Sequence, residues 1–195
     1  MANNREGIMN TERLPYDNYD LERWSYEDIL KMNSLEELDL NPAFQREEVA
    51  PVSWKRKFIT TWIRGGVHSV LTFRQLKDGR KQSIDGLQRV TTGIGFTKSK
   101  FKTLPANDIV IDGHLIDCPS ILYKDLHKDK NGDSLKEKFL AQKFIVVMYD
   151  ESMTDEQAAE TFQKINFANA LNDQEYRQAR THALAKYIRS NARGI

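Results

Sequence analysis

The chain has 195 residues, with 29 Lys or Arg against 28 Asp or Glu and a formal net charge of +1. That length supports a hydrophobic core without staples, and a single cysteine, Cys118, excludes an internal disulfide and a cysteine-based zinc site. No run approaches the roughly 20 apolar residues that span a bilayer, and the polar start, Met1 to Glu6, lacks the apolar stretch of a signal peptide.

The small net charge hides an asymmetry. Residues 1–48 hold 5 Lys or Arg against 12 Asp or Glu, whereas residues 74–102 hold 8 against 2. Arg177, Arg180, Lys186, Arg189 and Arg193 follow near the end with no acid among them. Basic regions of this kind suit a phosphate-bearing partner. The competing reading is a solvated surface whose charges balance in three dimensions.

Residues 1–20 are polar, without a sustained apolar period, and read as a tail or extended arm. Ser25 to Met32 fits a short helix with Tyr26, Ile29 and Leu30 on one side, and Leu38 to Leu40 a short strand running into the Asn41-Pro42 turn. Phe58, Ile59, Trp62 and Ile63 recur at helical spacing, with Ser53 placed to cap that helix and Gly65-Gly66 to stop it. Val67 to Arg74 and Lys81 to Ile84 read as a hairpin turned by Asp78-Gly79. Leu87, Val90 and Ile94, at i, i+3 and i+7, then mark a helix to about Ser99.

Ile109-Val110-Ile111 and His114-Leu115-Ile116 flank Asp112-Gly113 as a second hairpin. A charged loop follows, with a helix from Leu135 to Leu140. Phe144 to Tyr149 reads as a nearly continuous apolar strand, central in its sheet. Thr154 with Gln157 opens a helix with Ala158, Ala159, Phe162 and Ile165 inward, and Asn172 with Glu175 opens a last one. Strands mixed irregularly with helices predict an α+β fold. The expected organisation is a polar tail over 1–20 and one domain over 21–195.

The run Asp85-Gly86-Leu87-Gln88-Arg89 stands where a strand gives way to a helix. The first turn of a helix has free N–H groups and a partial positive charge, which suits a phosphate. Gly86 lets the backbone approach it, Arg89 offers a fork of donors, Gln88 can donate and accept, and Thr91 and Thr92 add hydroxyls. Asp85 could hold a magnesium ion or orient a water. The bland alternative is that Asp85 caps the helix and Gly86 makes the turn, as in the two other Asp-Gly pairs. A second cluster, Asn41-Pro42-Ala43-Phe44-Gln45-Arg46, presents an aromatic, an amide and a guanidinium after a proline-fixed turn. A third comprises Phe162 to Asn166, then Leu171, Glu175, Tyr176 and Arg177.

In order and rough spacing, these three clusters resemble the N-terminal domain of GmrSD-type modification-dependent restriction endonucleases, a family similar in fold to ParB and sulfiredoxin. The family's first motif reads here as Pro42-Ala43-Phe44-Gln45-Arg46 with Trp54 after it. The Asp-Gly-Gln-Gln-Arg motif reads as Asp85-Gly86-Leu87-Gln88-Arg89, and the last as Asn166, Leu171, Glu175 and Arg177. The resemblance spans roughly residues 24–183. Leu87 departs from the family's glutamine. It falls on the apolar stripe with Val90 and Ile94 and is expected to be buried, which leaves binding without hydrolysis open.

The resemblance implies a ParB-like small mixed sheet with surrounding helices. It also implies binding of a nucleoside triphosphate, with or without hydrolysis, in DNA restriction, defence or modification beside a nuclease or other protein partner. Asp85, Gln88 and Arg89 would then act on the nucleotide, with Mg2+ on Asp85. Gly86, Gln45, Arg46, Thr91, Thr92, Asn166 and Arg177 would contribute to binding. Two other classes stand beside this: a non-catalytic DNA-binding or adaptor protein using the basic region 74–102, and a ParB-like nuclease or phosphotransferase. The four histidines show no metal-ligand spacing, so no HNH-type centre is expected. Cys118 reads as a buried structural thiol. The expected location is the cytoplasm, whether the gene is cellular or carried by a virus or mobile element.

Overall fold

The computed structural model describes residues 18–43, 50–65 and 69–167. They fall in two compact units that divide after Thr154. The first unit has α+β architecture. It contains β1 (Tyr19–Ser25), α1 (Tyr26–Ser34), β2 (Leu38–Asp39), α2 (Val52–Arg64), β3 (Val70–Gln75), β4 (Lys81–Asp85), α3 (Leu87–Thr97), β5 (Ala106–Ile111) and β6 (His114–Cys118). A 3-10 turn over Tyr123–Lys128, α4 (Gly132–Ala141) and β7 (Lys143–Tyr149) complete it. Residues 155–167 of the second unit form a helix, so the expected start after Thr154 agrees with the structure. The expected last helix lies outside the described residues.

The main sheet is mixed, with strand order β1-β7-β3-β4-β2. β7 therefore has a neighbour on each side, as its apolar run predicts. It is not evenly buried: Phe144, Val146 and Met148 face the core, whereas Ile145 is exposed. β1 corrects the reading of residues 19 and 20 as tail. It pairs antiparallel with β7 from Tyr19↔Tyr149 to Ser25↔Lys143, and only its last two residues are buried, so the brief alternation of Tyr19 and Leu21 with Asp20 and Glu22 marks no buried face.

Both Asp-Gly hairpins form. β3 and β4 are antiparallel, and β5 and β6 make a separate two-stranded sheet. Ser25 caps α1 through a reciprocal bond with Asp28, the capping box that supports two otherwise unbonded donors. On α2 the expected Ser53 cap is replaced by Pro51, and the helix begins at Val52. A proline fits there because its missing N–H would have no intrahelical partner.

The core gathers Tyr26, Trp62, Phe73, Phe96, Phe139 and Phe144, all fully buried. Tyr26 stacks on Phe139 with ring centroids 4.7 Å apart, and Trp62 on Phe144 at 4.2 Å. Trp62 Nε1 donates to the Phe139 carbonyl at 3.0 Å, which satisfies the one polar atom this large side chain takes out of water. Cys118 is buried as expected.

Candidate functional site

Strand topology brings two of the motif regions to one end of the sheet. β2 runs parallel to β4, with Leu38 opposite Lys81 and Asp39 opposite Gln82. The chain leaving β2 through Leu40, Asn41 and Pro42 therefore exits where β4 ends in Asp85. A polar relay fixes this exit. Arg74 Nε donates to Gln82 Oε1 at 2.8 Å, Gln82 Nε2 to Asp39 Oδ2 at 2.7 Å, and Asn41 N to Asp39 Oδ1 at 3.1 Å. Arg74 Nη1 also donates to the Met153 carbonyl at 2.9 Å.

The turn itself is built on Gly86. Its φ of +100 places it in the left-handed region, where a side chain is strained. A Cβ there would also lie 2.3 Å from Leu71 Cδ2, so glycine is required twice over. α3 follows with Gly86 as its N-cap. No side chain caps it and its first turn holds no acid, so its partial positive charge meets no local carboxylate except that of Asp85 just before it. The register of β3 and β4 shifts between Thr72 and Phe73, next to the Thr72↔Asp85 pair. An irregularity of this kind re-aims side chains at a strand end.

Asp85 does not cap the helix. Its Oδ2 accepts from Arg89 Nη2 at 2.6 Å across the turn, with the two side chains 20% and 27% exposed. Gln88 Oε1 accepts from the backbone N–H of Ala50 at 3.1 Å. That bond joins the start of α2 to the first turn of α3. On the far side, Tyr26 donates its hydroxyl to the Arg89 carbonyl at 2.7 Å, and burial holds its pKa well above the ordinary tyrosine value. Gly93, one turn along, allows this approach, because a Cβ there would lie 1.9 Å from Tyr26 Cε1.

The other sequence candidates fare differently. Thr91 is exposed but donates to the Leu87 carbonyl of its own helix at 2.8 Å. Thr92 is fully buried with no hydrogen-bond partner, so its hydroxyl faces the core and cannot meet a ligand at the turn. Leu87, expected to be buried, is only partly so, because it stands at the mouth of the helix. Gln45, Arg46 and Arg177 lie outside the described residues. Asn166 belongs to the second unit, where its Nδ2 donates to the Phe162 carbonyl at 2.9 Å.

The basic stretch 74–102 is less available to phosphate than its charge suggests. Arg74 is 4% exposed, Arg80 pairs with Asp78 at 2.7 Å, and Arg89 pairs with Asp85. No group of three His, Cys, Asp or Glu side chains among the described residues is arranged to hold a metal ion. Among the same residues, no helix is long and apolar enough to cross a membrane. Comparison with protein-family models, with curated proteins and with solved structures finds no match.

Sequence reading missed three supports of this site. Tyr26 registers only as part of an apolar stripe, Leu71 only as strand core, and the Ala50 N–H has no side-chain signal at all.

Proposed function

We propose that the Asp85–Arg89 junction is the phosphate site of a nucleotide-binding, ParB-like domain acting in DNA restriction, defence or modification with a nuclease or other partner. The observation that carries this reading is the Arg89 guanidinium held by Asp85 over an uncapped helix N-terminus at Gly86. A polyphosphate is recognised by such a combination of backbone N–H groups, helix dipole and guanidinium fork. Gln45 and Arg46 enter as further phosphate contacts on the strength of the motif, because the described residues before them leave β2 at the end of the sheet where β4 reaches Asp85, and Ala50 after them is bonded to Gln88.

Phosphate competes with Asp85 for Arg89. Binding draws the guanidinium towards the ligand and leaves the Asp85 carboxylate free to orient a water or a cation. In hydrolysis that water attacks the terminal phosphorus. A new P–O bond forms as the bridging P–O bond breaks, the diphosphate leaves, and Asp85 takes the proton. Magnesium fits a site with one carboxylate, because it commonly draws its remaining ligands from phosphate and water. When bound it neutralises phosphate charge.

Calorimetry with ATP, GTP and CTP in the presence of magnesium tests the reading. Binding by the wild type that is lost in Arg89→Ala is the expected result. No binding of any nucleotide by folded wild type would reduce the junction to architecture and favour the adaptor reading.

A further inference from the structure

Trp54 is one of three tryptophans in the chain, and the other two are buried: Trp24 is 5% exposed and Trp62 fully enclosed. Trp54 is 40% exposed, with Val52 at 59% beside it. Its indole is held firmly. It stacks on Phe58, one helical turn on, with ring centroids 5.2 Å apart and planes 4° from parallel. Phe58 stacks in turn on Trp62, and Trp62 on Phe144. An aromatic column thus runs from the core along α2 and ends in a partly exposed indole. A flat ring fixed in this way loses little entropy when a second flat ring settles on it.

The column ends in the first turn of α2, the helix whose lead-in is bonded to the proposed phosphate site. Ala50, bonded to Gln88 at the first turn of α3, lies four residues before Trp54, which stands in the first turn of α2. A nucleoside triphosphate with its phosphates at that turn carries a flat base beyond them, which an aromatic face can receive.

We propose that Trp54 is a base-stacking residue that binds the nucleobase of the ligand whose phosphates meet Gly86 and Arg89. The inference rests on the proposed phosphate site and adds recognition of the base. Stacking is tolerant of base identity because every base has a π-face, so the site takes purine and pyrimidine nucleotides, purines more tightly.

Three ligands and two variants separate this inference from the reading beneath it. Wild type and Trp54→Leu are titrated with ATP, CTP and inorganic triphosphate, followed by calorimetry and by tryptophan fluorescence. Nucleotides quench the emission of the wild type, because Trp54 is the accessible fluorophore, while inorganic triphosphate does so far less. In Trp54→Leu nucleotide affinity falls roughly tenfold or more, affinity for inorganic triphosphate is unchanged, and Trp54→Phe recovers most of the loss. Retained affinity for inorganic triphosphate shows that the variant is folded. Equal nucleotide affinity in wild type and Trp54→Leu overturns the base platform and leaves the phosphate site standing. Failure of wild type to bind either nucleotide or inorganic triphosphate overturns both.

Discussion

Arg89 Nη2 meets Asp85 Oδ2 at 2.6 Å across the left-handed Gly86 turn, so the guanidinium proposed to meet phosphate is held by the carboxylate that ends β4. Both side chains keep about a quarter of their surface in water, and the pair lies between the exposed and buried limits for ion pairs. Asp85→Asn is therefore expected to lower stability by about 1 kcal/mol, read as a drop of a few degrees in Tm. It also removes phosphate's competitor for Arg89. Magnesium-free affinity for inorganic triphosphate should rise, and the magnesium dependence of nucleotide binding should disappear. A fall in magnesium-free affinity would mean that Asp85 orients Arg89 for the ligand rather than withholding it.

Gly93 lies flat under the Tyr26 ring, whose far surroundings are Trp62, Phe139 and Phe144. The ring cannot retreat, because its hydroxyl is also bonded to the Arg89 carbonyl. Gly93→Ala is expected to destabilise the fold by about 3 kcal/mol, the upper part of the usual range for overpacking a core. Urea denaturation measures the loss. Tyr26→Leu in the Gly93→Ala background should recover part of it, because the smaller side chain vacates the space the new methyl needs. Purely additive losses would place the damage elsewhere.

The parts legible in the sequence are those whose cause is local. The Asp78-Gly79 and Asp112-Gly113 turns, the helix start after Thr154 and the helical spacing of Phe58, Ile59, Trp62 and Ile63 each draw on residues a few positions apart. β1 was not legible, since the alternation of Tyr19 and Leu21 with Asp20 and Glu22 is broken at Arg23, its apolar members stay exposed, and its pairing depends on β7, more than a hundred residues away. The site divides in the same way. Asp85, Gly86 and Arg89 stand out because strand, turn and helix follow one another directly. The contacts that hold the helix in place join residues 38 and 63 positions apart, Ala50 to Gln88 and Tyr26 to Arg89. Thr92 was misplaced because a hydroxyl next to a motif looks available until the helix face it occupies is known.

Cys118 offers a check on the β5–β6 region independent of any ligand. The thiol is 2% exposed, and burial is the main cause that raises its pKa. Both effects act against thiolate chemistry, since the thiolate is the reactive form and must also be reached. At pH 8 a disulfide reagent should modify native protein at least a hundredfold more slowly than protein in strong urea. Rapid modification of the folded chain would show that the β6 end opens readily.

Tyr26 links the alkaline limit of the fold to the site. Burial raises its pKa well above 10, so the folded state keeps the proton that the unfolded chain loses near about pH 10. The sign follows from linkage. Below the unfolded value the hydroxyl stays protonated in both states and its stabilisation is intact. As pH rises from there towards the folded value, the unfolded state binds fewer protons and stability falls. Tyr26→Phe should lose about 1 kcal/mol at neutral pH, for the missing bond to the Arg89 carbonyl, and its stability should decline less steeply between pH 9.5 and 11 than that of the wild type. Parallel alkaline profiles for the two proteins would mean that other groups set the limit. If α3 depends on this bond for its position, Tyr26→Phe should also weaken nucleotide binding at neutral pH, where the hydroxyl carries no charge and can act only by holding the Arg89 backbone in place.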